Sequence, residues 1–279
     1  MLSSVRHICS IKDQFGMLKA TETNNNKTMQ NYYKTIGALV VASAFAAGNA
    51  SAEIESEIHA GYTNEYLFRG LDLGSNLVEA GLDVSTEYNG LGLSAGAWYG
   101  SFDAPVPAGL PVAGSYSTSE LDLYAEVSKD LGFLTAAVGY IKYINDDTSA
   151  GLVPIPTKID DAQEVYFSLA KSLYGVDFSL TYFWDIETDN DGYAELGASK
   201  SFELSPCLTL NTGAALGYLA EQGQVGHLTA KVALDYAYSE TATISPFVAH
   251  SWSLGDDNDT AYENTGNEFV AGTMLSVSF

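Results

Sequence analysis

Basic residues, long apolar runs and cysteines are all scarce in this chain. Its 279 residues hold 12 Lys and Arg against 35 Asp and Glu, a formal net charge of −23. Without a basic patch to neutralise phosphates, nucleic acid is excluded as a partner. No run of about 18 apolar residues occurs, which excludes a helical membrane protein. Only Cys207 follows the leader predicted below, so no cysteine-based zinc site can form.

An export leader is predicted near the N-terminus. Lys34 precedes a short apolar run at 36–47, and small residues in an A-x-A pattern end at Ala52. A base, a short apolar stretch and a small-residue cleavage site together define a secretory signal peptide. We therefore predict a signal peptide at 29–52, which implies export from the cytoplasm.

The rest of the chain, 53–279, is predicted to form one domain of a size that barrels often reach as a single unit. Residues 1–28 are polar and without pattern, so we predict that they are a non-native upstream extension and that Met29 is the true start. Residues 1–52 hold five bases and two acids, which leaves the mature domain even more acidic than the whole chain.

From Glu55 to the last residue, short segments alternate apolar and polar residues with period two, and Gly, Asn, Asp and Pro separate them. This pattern predicts strands and turns. Twelve strands are expected, at about 56–68, 77–88, 91–102, 119–130, 133–144, 163–174, 176–187, 193–203, 207–219, 227–239, 243–254 and 267–279. Short turns alternate with mostly longer loops, such as 69–76, 103–118 and 145–162. The expected fold is all-β, a transmembrane antiparallel up-and-down barrel with both termini in the periplasm.

The polar face of these strands carries many acids and few bases. Glu120, Asp122 and Glu126, for example, alternate with leucine, alanine and valine. A carboxylate that faces lipid at mid-depth is costly, so the acidic face is expected to line the lumen. The lumen and selectivity candidates are Arg69, Glu65, Glu79, Asp83, Glu120, Asp122, Glu126, Glu195, Asp235 and Lys231.

An acidic lumen predicts a pore that favours cations, although the same carboxylates could simply hydrate a small interior. Barrels of about eight strands are filled by side chains, and those of about sixteen leave an open channel. The predicted barrel of twelve strands lies between these two in lumen width. Large inward apolar residues are expected to be scarce in the acidic strands, which favours a wet interior. Trp98 and Phe183 would narrow it if they face inward.

The last strand carries an expected membrane-insertion signal. Leu275, Val277 and Phe279 share its apolar face, and the chain ends on Phe279. Such a strand resembles the sorting signal by which the barrel-assembly machinery of Gram-negative bacteria receives its substrates. Outer-membrane lipids and lipopolysaccharide are therefore expected partners. Aromatic residues near strand ends predict interfacial girdles: Tyr140, Tyr182, Trp184, Tyr218, Tyr236 and Trp252.

No enzyme, cofactor or metal site is predicted. His250 and Ser251 are adjacent on a strand, so they point to opposite faces and cannot pair, and no G-x-S-x-G motif occurs. His59 and His227 have no second histidine at ligand spacing, which gives a metal site no support. Acidic loops near 146–147, 160–161, 185–192 and 256–259 lack the features of an EF-hand, so they are expected to share loosely held divalent ions with lipopolysaccharide.

The segment from Tyr66 to Leu71, with its Phe-Arg-Gly core, and the Glu-Ala-Gly-Leu-Asp segment at 79–83 resemble the TorF-type porin family. The resemblance implies an outer-membrane barrel with channel activity and names no substrate. In this segment we expect Phe68 to anchor at the outer interface, Arg69 to pair with carboxylates such as Glu65 or Glu79, and Gly70 to allow a tight bend.

The sequence therefore predicts a narrow outer-membrane channel for passive diffusion of small solutes, with a preference for cations. One alternative is a non-conducting structural or receptor barrel that acts through its external loops. A second alternative is a lipid-modifying enzyme at the membrane interface.

Overall fold

A computed structural model describes residues 54–106, 114–146, 161–187, 192–255 and 266–279 of the chain. These ranges form twelve strands. They are β1 (Glu55–Phe68), β2 (Leu71–Tyr88), β3 (Leu91–Pro105), β4 (Ser115–Asp130), β5 (Thr135–Asn145), β6 (Ala162–Leu173), β7 (Val176–Asp185), β8 (Tyr193–Ser205), β9 (Leu208–Leu219), β10 (Gln224–Ala237), β11 (Ala242–Ser253) and β12 (Glu268–Ser278). The predicted upstream extension at 1–28 and the predicted signal peptide at 29–52 lie outside the described residues and stay predictions.

The twelve strands close into one antiparallel barrel, in which each strand pairs with its neighbours along the chain and β1 pairs with β12. In the closing pair, Gly61 lies opposite Met274 and Tyr62 opposite Thr273. Closure leaves no unpaired strand edge, as a barrel surrounded by lipid requires. The predicted fold class and strand number are confirmed. Within the described ranges, no helix is long and apolar enough to cross a membrane.

The outer wall is apolar and the inner wall is polar and aromatic. Leucine, valine and phenylalanine side chains such as Leu82, Leu123 and Phe167 are exposed on the outside, while their strand neighbours are buried or half-buried. Leu275, Val277 and Phe279 of the predicted insertion signal lie on this outer face. Of the predicted girdle residues, Tyr236 is half-buried, and the others are exposed there as well: Tyr140, Tyr182, Trp184, Tyr218 and Trp252. Exposed apolar groups on every strand form the band that a lipid bilayer would cover.

The prediction of a loop at 69–76 is wrong. β1 continues to Phe68 and β2 begins at Leu71, which leaves only Arg69 and Gly70 as the turn. Gly74 and Asn76 both have positive φ, as turn residues often do, but here they accompany irregular pairing within β2. The predicted loop at 103–118 is also shorter, because β3 and β4 extend into it. Most residues of the loop predicted at 145–162, and of the acidic loops, lie outside the described ranges.

The expected scarcity of large inward apolar side chains is wrong. Trp98 and Phe183 do face inward, as considered above, and both belong to a buried cluster on the inner wall. Its members are Tyr66, Leu77, Trp98, Phe102, Ala104, Tyr116, Tyr124, Ile141, Tyr143, Tyr166, Phe183, Tyr193 and Leu219. Many are tyrosines, whose ring fills space while the hydroxyl meets a polar partner, so they occur on a face that otherwise looks hydrophilic.

Candidate functional site

The turn between β1 and β2 is folded into the lumen at the loop-bearing end of the barrel. Arg69 contacts side chains of β6, β7 and β8, and a Cβ atom added to Gly70 would lie 2.5 Å from Cγ of His227 on β10. A turn that continued straight out from β1 and β2 could not contact these strands on the other side of the barrel. Irregular pairing at Tyr66–Leu67 and at Ser75–Val78 lies at the base of the turn, where bulges bend strands.

Arg69 makes a bidentate ion pair with Glu164 of β6. Its Nη1 and Nη2 atoms each donate a hydrogen bond of 2.7 Å to one carboxylate oxygen, and the Tyr143 hydroxyl donates another at 2.9 Å. Burial alone would lower the pKa of Arg69, but the Glu164 carboxylate outweighs it, so the pKa is raised and the guanidinium stays charged.

The predicted pairing of Arg69 with Glu65 or Glu79 is wrong. Those two carboxylates belong to β1 and β2 themselves, whereas the side chain of Arg69 extends away from its own hairpin toward the facing wall. A sequence pattern identifies which residues share a face but not which of them meet across the lumen.

Three aromatic rings surround the guanidinium of Arg69. Its Cζ atom lies 4.8 Å from the ring centre of Phe68, 4.3 Å from that of Phe183 and 4.6 Å from that of Tyr193. Phe68 was expected at the outer membrane interface, and this is wrong: its ring packs edge-on against Tyr143 at 5.9 Å and adjoins the lumen cluster. Aromatic faces attract a cation. These three rings, the aromatic cage of Arg69, therefore hold the turn by charge as well as by packing.

A buried chain of polar contacts lines the other side of the turn. The Tyr193 hydroxyl bonds to Glu195 and lies 2.9 Å from Nε2 of His227, whose Nδ1 lies 3.0 Å from Thr229 Oγ1. Thr229 in turn lies 2.8 Å from Ser251 Oγ. The sequence analysis found no second histidine at ligand spacing from His227 and missed this series of polar contacts. Ser251 is fully buried.

His250 lies on the outer face, as predicted from its position beside Ser251. Its ring packs against Trp252 with ring centres 4.6 Å apart. Adjacent strand residues point to opposite sides, and the structure places His250 outside and Ser251 inside. These two residues therefore do not form a catalytic pair.

The inward acids near the aromatic cluster are hydrogen-bonded to it. The Tyr66 hydroxyl donates to Glu120, the Tyr166 hydroxyl to Glu126, and the Trp98 indole to Glu79. Tyr124 donates to Asp83 in the same way, and Asp122 is buried beside Glu120. The predicted lumen acids Glu79, Glu120, Asp122, Glu126 and Glu195 are buried in the structure, and Asp83 is half-buried. These carboxylates and the aromatic side chains that donate hydrogen bonds to them form a packed wall. The sequence identified the acids but not their aromatic partners.

The remaining lumen candidates lie outside this cluster and are half-buried. Lys231 faces inward, as predicted, with its Nζ atom 4.0 Å from the ring centre of Phe247. Asp235 accepts a hydrogen bond of 2.6 Å from the side-chain amide of Asn211. Glu65 lies close to the carboxylates of Asp72 and Glu268. Among the described residues, Arg69 and Lys231 are the inward bases.

The architecture defines a barrel of the outer-membrane class. The chain belongs to a family described as "Bacterial protein of unknown function (Gcw_chp)", whose model matches residues 46–228. The family's description names no activity. No curated protein matches this sequence.

Several solved structures are similar to this chain. The COG4313 outer membrane channel from Pseudomonas putida F1 is 10% identical, with a TM-score of 0.53, over 86% of this chain and 100% of that one. The KdgM porin in complex with disordered oligogalacturonate is 11% identical, with a TM-score of 0.44, over 81% and 99% of the two chains. The NanC porin is 13% identical, with a TM-score of 0.44, over 80% and 98%. At this identity the likeness to the first structure shows a common fold.

Proposed function

We propose that this chain is an outer-membrane, porin-like channel through which small solutes diffuse passively, with a preference for cations. The observation that carries the proposal is the polar, acidic inner wall of a closed barrel whose outer wall is apolar. A barrel that served only as an anchor would not need so many inward carboxylates. The excess of inward acids over the two inward bases attracts cations into the lumen.

Two resemblances support a channel. The barrel shares its fold with an outer membrane channel of Pseudomonas putida F1. The Phe-Arg-Gly segment around Arg69 resembles the TorF-type porins, for which channel activity is expected. Both resemblances also support a location in the bacterial outer membrane.

The β1–β2 turn is the main constriction in this proposal. Arg69 spans the lumen to Glu164, and its aromatic cage occupies the space on either side. Ions that pass must go around this turn or wait for it to move. We therefore expect a small conductance, with brief closures when the turn is fully seated.

The test is single-channel recording from the chain, expressed with its own leader, purified from the outer-membrane fraction and inserted in a planar bilayer under a potassium chloride gradient. We expect discrete steps and a reversal potential that favours cations. Glu126→Gln should weaken the preference, because Glu126 is an inward acid. Glu240→Gln is the matched control, since Glu240 is exposed in the turn between β10 and β11. A barrel that inserts and remains silent contradicts the channel.

A non-conducting barrel that acts through its external loops is the second candidate. The observation that favours it is the packing of the lumen cluster, in which Tyr166 and Phe183 are almost completely buried. A barrel packed in this way resembles the small barrels whose interior is filled by side chains. Silence of the wild type and of variants that release the turn would favour this function over the channel.

A further inference from the structure

Outside the constriction, one group of side chains near the periplasmic rim is arranged like a metal site. Glu57, His59 and Asp83 each present one ligand atom, and these atoms all lie within 4.8 Å of one another. Glu57 and His59 are two residues apart on β1, so they share the inner face, and the register places Asp83 of β2 directly opposite Glu57.

His59 is the observation that distinguishes this group from a chance cluster of acids. Its side chain is 3% exposed, and neither ring nitrogen makes a hydrogen bond within the described structure. A buried imidazole without a hydrogen bond is costly, and a bound ion that took a ring nitrogen as a ligand would remove that cost. Nδ1 points toward Asp83, at 3.5 Å from Oδ2.

That distance fits a shared metal ion better than a direct contact. A charged hydrogen bond between imidazolium and carboxylate closes to about 2.8 Å. Two ligands of one tetrahedral zinc, each about 2.0 to 2.1 Å from the ion, lie about 3.3 Å apart. The separation between His59 and Asp83 is close to the second value, and the ligand atom of Glu57 lies within 4.8 Å of both.

Neighbouring residues hold the three ligands in place. A Cβ atom at Gly81 would lie 2.5 Å from Nε2 of His59, so the imidazole occupies this position only because residue 81 is glycine. The Tyr124 hydroxyl donates to Asp83, and Ser278 Oγ donates to Glu57 at 3.3 Å. Such outer contacts orient the ligands of metal sites.

We propose that Glu57, His59 and Asp83 bind a divalent transition-metal ion inside the barrel, close to its periplasmic rim. One imidazole and two carboxylates suit zinc and similar ions, and the imidazole disfavours calcium and magnesium. Asp83 is 21% exposed, which gives an ion access from the lumen. Three protein ligands leave a fourth position for water. This site does not depend on whether the barrel conducts.

The experiment uses the chain purified in detergent from the outer-membrane fraction and stripped with a chelator. Calorimetric titration with zinc chloride should show one ion per barrel, and cobalt chloride should give the visible absorption of a tetrahedral site. Excess calcium should not displace either ion. Asp83→Asn, Glu57→Gln and His59→Ala should each weaken zinc binding at least about tenfold, in line with the loss of a ligand.

His250→Ala is the matched control, because His250 is a histidine on the outer face away from the group. Heat-modifiable migration on a gel shows that each variant is a folded barrel, and the near-isosteric Glu57→Gln keeps the test valid if another variant does not fold. Absence of zinc binding in the wild type would mean that His59 and Asp83 form an ion pair only. Equal binding by the wild type and the three variants would place the metal elsewhere. Either result overturns the proposal.

Discussion

Arg69 of the β1–β2 turn and Glu164 of β6 are joined by two hydrogen bonds of 2.7 Å, although β3, β4 and β5 separate their strands in the barrel wall. Arg69 is the only arginine that follows the predicted leader. This pair thus connects two parts of the barrel that share no backbone hydrogen bonds.

Replacing only one residue of the Arg69–Glu164 pair should destabilise the barrel more than replacing both. Arg69→Met leaves the Glu164 carboxylate buried without its counter-charge, and such changes typically cost about 3 to 5 kcal/mol. Arg69→Met combined with Glu164→Met should recover most of the loss, because two apolar side chains need no partner. Urea unfolding in detergent measures both effects.

Lys200→Met is the control for charge removal. Lys200 is half-exposed, and its Nζ lies 5.5 Å from the ring centre of Phe202, so the change should stay within about 0.5 kcal/mol. If the double variant were less stable than either single variant, the buried ion pair would be a net source of stability.

Gly70→Ala should displace the turn from the lumen. Gly70 has a φ of 80°, where a side chain costs about 1 to 2 kcal/mol, and its new Cβ would also strike His227. We expect a loss of stability together with a larger single-channel conductance, because the seated turn is the main constriction.

Gly90→Ala separates the two effects. Gly90 has a φ of 72°, but nothing lies within 4 Å of the position of its Cβ. This variant should lose a similar amount of stability through its backbone conformation and should keep the wild-type conductance. Equal conductance in all three proteins would show that the turn does not limit the flow of ions.

Gly139→Ala should destabilise the barrel although its backbone is ordinary strand. The ring of Tyr166, which is almost fully buried, lies directly over Gly139, so a methyl group there would overlap it. The ring would have to move and would weaken its hydrogen bond to Glu126. Overpacking of this kind costs about 1 to 3 kcal/mol, which the midpoint of urea unfolding reports.

Gly213→Ala is the matched control within another strand. The closest atom to its added Cβ is a backbone oxygen at 3.6 Å, an ordinary contact. We expect its unfolding midpoint to equal that of the wild type. Similar losses in both variants would assign the effect to strand propensity and not to Tyr166.

Phe279→Ala should reduce the yield of assembled barrel in cells. Phe279 exchanges backbone hydrogen bonds with Ser56, which the substitution keeps, so the change isolates the exposed aromatic ring. Phe133→Ala removes an equally exposed ring from a short turn and should leave assembly unchanged. The heat-modifiable fraction in isolated outer membranes gives the yield. Equal yields from both variants would show that the ring of Phe279 is not part of the insertion signal.

Pattern reasoning located most strands, because lipid on one side and a polar interior on the other impose strict alternation. It failed at β2, where Gly74 and Asn76 resemble turn residues and yet lie in an irregular stretch of strand. It also assigned Phe68 to the membrane interface, since an aromatic residue near a strand end usually lies there. The inward bend of the turn reverses that placement.

The sequence by itself determined the class of fold, the strand number and the identity of the inward acids, because alternation is a local property that each strand carries independently. Only the tertiary structure decided which residues meet inside. Arg69 and Glu164 are 95 positions apart, and His59 and Asp83 come together through the register of β1 and β2. Contacts across a lumen depend on how the whole sheet closes and where its turns bend, and no local pattern encodes that geometry.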